Sequence, residues 1–498
     1  MRIGPGRSNI PDNVNAIDTA NTADAANERK LLRPNLILGI CCMSVLLLTM
    51  DVTIVNVALP AIQHDLHATF SQLQWVVDAY TLVVASLLML AGAISDRFGR
   101  RRVFLIGLVL FTAGSWLCSV APNIEGLVAF RVMQGLGASM LNPVALSIIV
   151  NSIRDPKMRA RAIGIWGAVA GLSFALGPVL GGALTQAVGW RSIFWINLPL
   201  GLIAVVLATL FVPESKAKQA RSFDPVGQAL VFLILASLCY GVIEGPHAGW
   251  HAHRIIGLFA TCAVALVCFL LYEPRRREPL LDLRFFRSVP FSSATLLAVL
   301  SFASFAGFLF LNAIYLQQVR GLSALRTGLY TLPLAVMMML TAPLSGRLVG
   351  SHGTRASILL SGSGLLASTL LLTQLSGTTS VALLLFSYLL FGIGLGMINP
   401  AIANNAVAGM PLSQAGVASA IASTSRQVGA ALGVAVAGTV VNASRTHGTD
   451  FSRATHPIWW IMVSCSVGIV VLGWASNTPW SRQSADKVAH LLGDAAHS

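Results

Sequence analysis

Charge is what this sequence has least of. Aspartate, glutamate, lysine and arginine make up 10% of its 498 residues, against roughly a quarter in soluble globular chains. That deficit excludes a water-soluble globule. Acids are scarcer than bases, 19 against 33, and none occurs between Asp282 and Asp450. Catalytic signatures are missing as well. The chain has no phosphate-binding G-x-x-x-x-G-K loop, no H-E-x-x-H and no G-x-S-x-G. Nucleotide-driven pumping, zinc hydrolysis and serine-type acyl transfer therefore have no residues to run on, and an enzyme is not expected. Seven cysteines, Cys41, Cys42, Cys118, Cys239, Cys262, Cys268 and Cys465, fall inside apolar runs without ligand spacing. They read as small packing residues, so neither a metal nor another cofactor is expected.

What is present is apolar. Hydrophobic residues make up 55% of the chain, and the mean hydropathy is +0.74. Fourteen apolar runs can be marked, near 36–59, 73–95, 103–121, 126–150, 162–184, 193–212, 226–244, 255–272, 291–315, 327–345, 356–374, 380–403, 415–441 and 457–475. Each is long enough, or nearly so, for a hydrocarbon core of about 30 Å. The first run is too long for a signal h-region, and residues 1–34 before it read as a disordered polar tail. An even number of spans puts both termini on one side. On that side lie 25 of the 33 lysines and arginines; six lie opposite, and Arg131 and Arg426 lie within spans. The positive-inside rule therefore places both termini in the cytoplasm of a multi-pass inner (plasma) membrane protein. The net charge of +14 is topological, and no nucleic-acid partner is expected.

A few polar residues interrupt the spans. Asp51 lies well inside the first, in LTMDVTIVNVALP; Asp78 lies about one turn into the second; Arg131 lies within the fourth, in RVMQGLGAS; Glu244 closes the seventh. A charge at such depth is expensive and points to a cavity, a partner or a transport path. Trp75 and Tyr80, near the start of the second span, read as interface anchors. The loop after it, GAISDRFGRRRV, joins Gly92, Asp96, Arg97, Gly99, Arg100 and Arg101 in a spacing that positive-inside charge alone does not explain. The fifth span carries two small-residue stripes. One runs through Gly164, Ala168, Gly171, Ala175, Pro178 and Gly182, the other through Gly167, Ala170, Ser173, Gly177 and Gly181. Such faces let helices approach almost backbone to backbone, and the internal proline invites a bend.

The second half repeats the first. Gly135, Gly137, Asn142 and Pro143 recur as Gly392, Gly394, Asn399 and Pro400, all at an offset of 257. Ser95 to Arg97 has a degenerate echo in Ser345 to Arg347. Six spans per half remain once the seventh and eighth are set aside as an insertion.

These motifs resemble the fourteen-span drug:proton antiporters of the major facilitator superfamily over about residues 35–475. The span-five pattern departs from the family's at one place, where Ser173 stands for a glycine. The resemblance implies an all-α integral membrane protein with the major facilitator fold, two six-helix bundles plus two inserted helices. Its parts would be a cytoplasmic tail (1–34), a first bundle (35–212), a linker with the two extra helices (213–288), a second bundle (289–475) and a second tail (476–498). It implies a monomer that exports lipophilic drugs or antibiotics in exchange for protons by alternating access. Asp51, Asp78 and Arg131 would couple protons to substrate. Asp96, Arg97 and the following arginines would latch the outward-facing state. Gly164, Gly177, Pro178, Gly181 and Gly182 would seal the leak path. Scarce acids in the spans favour a neutral or weakly charged aromatic substrate over a dication. The inserted spans are expected at the periphery. A specific metabolite permease or facilitator without proton antiport stands as the alternative.

Overall fold

A backbone amide in hydrocarbon has no water to bond, so each apolar run closes its hydrogen bonds on itself as a helix. The structure is a computed structural model that describes residues 34–153, 155–216, 224–276, 279–410, 414–446, 451–476 and 478–494. The expected disordered tail lies outside these residues apart from Pro34, where the first helix begins.

The first six helices are α1 (Pro34–Asp65), α2 (Phe70–Phe98), α3 (Arg100–Ser119), α4 (Ile124–Ser152), α5 (Pro156–Ala187) and α6 (Asn197–Phe211), the last entered through a single turn at Ser192–Trp195. Next come α7 (Pro225–Ala248) and α8 (His253–Tyr272). The second set is α9 (Val289–Ile314), α10 (Ala324–His352), α11 (Thr354–Leu372), α12 (Val381–Val407), α13 (Ala415–Thr446) and α14 (Phe451–Ala475). Thirteen helices among the described residues are long and apolar enough to cross a membrane. The remaining one, α13, has the length at 32 residues. The chain is a multi-pass membrane protein. The surface where α1 begins is called the near face below, and the opposite one the far face.

Local chemistry sets the helix ends. Thr69 and Gln72 form a reciprocal capping box at α2, and Asn123 and Asp155 cap α4 and α5 through their side chains. The turn from α2 to α3 is a single residue, Gly99, at φ +115°, and the turn from α10 to α11 is Gly353 at φ +77°. Only glycine takes such angles without strain. Each half thus makes this turn on one glycine of positive φ.

Packing repeats in the same way. In the first set α1 lies on α5, while α2 and α3 lie on α4; in the second α9 lies on α13, while α10 and α11 lie on α12. The repeated glycines explain the match. A Cβ on Gly135 would strike the Tyr80 carbonyl of α2 at 2.9 Å, and one on Gly137 the Phe111 amide of α3 at 2.3 Å. A Cβ on Gly392 would strike the Leu334 carbonyl of α10 at 2.2 Å, and one on Gly394 the Ser361 carbonyl of α11 at 2.9 Å. Each pair opens the same two grooves in its own half.

The two halves meet through α5 with α10 and α2 with α13. Of the inserted helices, α8 is mostly exposed. The other, α7, lies against both α2 and α13. There Leu82, Ala85, Leu235, Cys239 and Ala431 form a small apolar core of their own. An amphipathic helix, α15 (Pro479–Asp494), follows α14. It docks through the Ser484 hydroxyl, which accepts a 2.9 Å bond from the Val289 amide.

Candidate functional site

Asp51 and Arg131, 80 positions apart in sequence, meet inside the first set of helices. Arg131 Nη1 stands 2.6 Å from Asp51 Oδ2, with side-chain exposures of 1% and 0%. Neither charge could sit in an apolar interior without the other. The surrounding groups complete both shells. Gln134, one turn after Arg131 on α4, donates to Asp51 Oδ1 at 2.8 Å and accepts from Arg131 at 2.8 Å. Asn197 of α6 donates to the same Asp51 oxygen at 3.2 Å. Arg131 Nε is spent on the Val76 carbonyl of α2 at 3.0 Å, and the Tyr80 ring lies 4.3 Å from its guanidinium carbon. Tyr80 is therefore no interface anchor; it is 3% exposed and forms one wall of the ion pair. Asn197 carries no signal in sequence, because an asparagine opening an apolar run reads as a boundary residue.

The second half holds a neutral counterpart. The offset of 257 that relates the repeated glycines carries Arg131 to Tyr388. The Tyr388 hydroxyl donates to Asn312 Oδ1 of α9, the helix corresponding to α1. Two matching crossings thus hold an ion pair in one half and an uncharged pair in the other.

Asp78 stands apart. It is completely buried, and neither carboxylate oxygen has a hydrogen-bond partner among the described residues. It shares a face of α2 with Leu82 and Ala85, which pack on Leu235 and Cys239 of α7. Such a group is costly to keep.

The small stripes of α5 meet their partners on the far side only. A Cβ on Gly177 would lie 1.9 Å from Thr53 Oγ1, and one on Gly181 would lie 2.7 Å from Ile54 Cγ1, both on α1. A Cβ on Gly182 would lie 2.3 Å from the Ala324 carbonyl of α10, while Gly328 of α10 faces the Pro178 carbonyl. The near-face glycines of α5 meet nothing comparable. Gly164 and Gly167 have open space, and Gly171 has one Met339 atom at 4.0 Å. The helix continues through Pro178 without interruption. Hydrogen bonds between the halves lie at the same level. Gln74 donates to the Ala435 carbonyl at 2.9 Å, Gln317 to the Val57 carbonyl at 2.7 Å and Gln318 to Gln63 at 2.7 Å. Among the described residues the hydrogen bonds between the halves all lie on the far face, and the near-face part of α5 stands clear of α10, although Met89 of α2 packs on a near-face cluster that includes Phe291 and Ala418.

The turn between α2 and α3 fits that state. Asp96 pairs with Arg100 at 2.8 Å, one helical turn on. Arg97 is exposed, its guanidinium carbon 5.9 Å from the Phe98 ring. The structure therefore shows no Asp96–Arg97 pair. Glu214, just past α6, takes up the rest of the turn. It accepts from the Arg101 amide at 3.1 Å and lies 3.7 Å from Arg102 Nε. Its carboxylate fills the space where a Cβ on Gly99 would sit, 2.5 Å away. Arg101 also donates to the Thr209 carbonyl, and Gly92 faces open space. Glu214 escapes sequence reading because an acid in a basic loop looks merely solvated. On the far face, Glu244 of α7 accepts from the Ser71 hydroxyl at 2.8 Å and from Trp75 Nε1 at 3.0 Å. That bond ties the inserted helix to α2 and gives Trp75 a structural partner.

Sequence comparison bears on what such a molecule does. Residues 41–434 match the sequence model of the Major Facilitator Superfamily. Among relatives, the chain is 39% identical over 401 residues to multidrug resistance protein Stp of Mycobacterium tuberculosis, covering 80% of this chain and 74% of that one. It is 37% identical over 404 residues to the tetracenomycin C resistance and export protein of Streptomyces glaucescens, covering 81% and 75%. It is 31% identical over 445 residues to riboflavin transporter RibZ of Clostridioides difficile, covering 88% and 96%.

Proposed function

The chain belongs to the Major Facilitator Superfamily, and we propose that within it this transporter exports lipophilic drugs or antibiotics in exchange for protons. In this reading the near face is cytoplasmic and the protein lies in the inner membrane as a monomer. The structure is then its inward-facing state, open to substrate from the cytoplasm. Relatives named for multidrug and tetracenomycin C resistance support the export of toxic compounds.

The observation that carries proton coupling is the Asp51–Arg131 pair. Among the described residues it is the one ion pair with both partners fully buried. A proton arriving on Asp51 removes the charge that holds Arg131, and the guanidinium must then find other acceptors. Its bond to the Val76 carbonyl couples that event to α2, a helix that also frames the inter-half surface. Asp78 supplies a second proton-accepting group on α2, facing the seam with α7. Asp96, Arg100 and Glu214 hold the near-face turn ready to latch when that face closes. The α5 glycines seal the far face against proton leak.

Flux in reconstituted vesicles with an imposed pH gradient tests the coupling. Drug movement should follow the gradient and stop with an uncoupler, unaffected by ATP. Flux that ignores the uncoupler refutes proton antiport. Similarity to RibZ keeps a second reading open, a facilitator for one metabolite, and gradient-independent uptake of a single compound would favour it.

A further inference from the structure

Arg426 is the second cation within a span, and nothing described so far uses it. It sits roughly 16 Å along α13 from its near-face end at ~1.5 Å per residue, close to mid-membrane. Its setting is the reverse of Arg131's. No acidic residue occurs between Asp282 and Asp450, so α9 to α13 offer no counter-charge, and no salt bridge reaches Arg426 among the described residues. One guanidinium nitrogen donates to the Ser423 hydroxyl, 2.9 Å away on its own helix. The side chain is half-buried where Arg131 is sealed. A guanidinium has five donors, and most of these remain available to whatever enters.

Aromatic rings flank it. The Phe302 ring of α9 lies 5.9 Å from the guanidinium carbon. Phe302 meets Phe305 edge-on at 6.2 Å, and Phe305 meets Phe174 of α5 edge-on at 5.7 Å. The row therefore crosses from one half of the molecule to the other. Phe174 and Phe302 are both half-buried, and both pack on the core that holds Met50 and Ile54 of α1. The contact of Phe174 on α5 with Phe305 on α9 puts the row where the two halves meet. The two acids buried in the first half do not neutralise the site. Asp51 is locked to Arg131, and among the described residues Asp78 makes no ion pair with Arg426.

We propose that Arg426, with Phe302, Phe305 and Phe174, forms the substrate-binding site and selects aromatic compounds that carry an acidic group, a carboxylate or an ionised phenol. The rings offer faces and edges to a flat apolar body, and the guanidinium offers a fork of donors to two oxygens. A cation at this depth is expensive unless a partner arrives to complete it. Here the partner is the substrate. An organic cation would meet an uncompensated positive charge in the same place and be turned away. The site rests on the exporter reading for its transport consequence, whereas its charge preference is a property of binding alone.

Three probes with one ring system test it: 2-naphthoate, 2-naphthamide and 2-naphthylmethylammonium, titrated calorimetrically into the full-length protein in lipid nanodiscs. Wild type should bind the carboxylate at least about tenfold more tightly than the ammonium, as expected of a charge-assisted pair out of water. Arg426→Gln should weaken the carboxylate about tenfold and leave the amide within about threefold. Arg426→Lys should fall between, and Phe302→Ala should weaken all three. The proposal is overturned if wild type prefers the ammonium, if it binds none of the probes, or if Arg426→Gln binds the carboxylate as wild type does. The wild-type comparison needs no variant to fold. Vesicle flux of 2-naphthoate separates the two layers: charge-selective binding without flux supports the site and refutes the exporter reading.

Discussion

Gly182→Ala should push the transporter out of the state described here. A Cβ on Gly182 would lie 2.3 Å from the Ala324 carbonyl oxygen, 2.8 Å from its carbon and 2.8 Å from Leu325 Cα. All three are backbone atoms, so no side chain can turn aside. Ordinary contact needs at least about 3.4 Å, and α5 and α10 must part by roughly 1 Å where they cross. Inserting a methyl group into a packed interior costs about 1–3 kcal/mol. This crossing joins the two halves and exists only while the far face is closed, so the cost falls on one state of the cycle. At about 1.4 kcal/mol per factor of ten, an even population moves to somewhere between 1:5 and 1:150. Gly167→Ala is the control. It stiffens the same helix to the same degree but meets no neighbour within 4 Å. Hydrogen–deuterium exchange by mass spectrometry reads the outcome. In Gly182→Ala, uptake should rise in residues 320–330 and fall near Gly346 and Gly350, while Gly167→Ala follows wild type. Unchanged uptake in Gly182→Ala with normal transport would refute the account of the seal.

Asp51→Asn leaves Arg131 without its counter-charge, at a cost of about 3–5 kcal/mol. The melting temperature should drop and coupled efflux should vanish, whereas Asp51→Asn with Arg131→Gln should recover the melting temperature and not the efflux. Asp78→Asn keeps the volume of a side chain whose oxygens have no partner, so it should fold as wild type and lose pH-driven flux; wild-type flux would make Asp78 structural. Ser173→Gly removes a hydroxyl bonded only to the Val169 carbonyl of its own helix, and drug resistance in cells should be unchanged. Gly99→Ala combines a φ of +115° with a carboxylate 2.5 Å from the new methyl, and should lower stability by about 1–3 kcal/mol in thermal unfolding, with Glu214→Ala relieving part of it.

The fourteen spans and the repeat could be read from sequence because apolar runs, basic loops and paired glycines are local signals. Arg131 and Gln134 were equally readable, one turn apart on a helix. The partnership with Asp51 lies on another matter, since 80 residues separate the two and spacing carries no contact. Tyr80 was misread for a related reason: aromatics near a span end usually mark the headgroup level, and only packing shows that this ring faces Arg131. Glu214 and Glu244 look like loop and helix-end acids until their partners on distant helices are seen. The closed far face could not be read at all. A sequence that alternates between two states encodes the contacts of both.

The unequal crossings, Asp51 with Arg131 and Asn312 with Tyr388, bear on how the cycle senses electricity. A side chain that gains and loses a proton inside the bilayer does so within the transmembrane voltage, which acts on each moving charge with about 2.3 kcal/mol per 100 mV. The second crossing carries no charge, because a phenol and an amide are both neutral near pH 7. A proton taken up by Asp51 at the first crossing would therefore be felt by the voltage, whereas nothing at the second crossing would move charge through it.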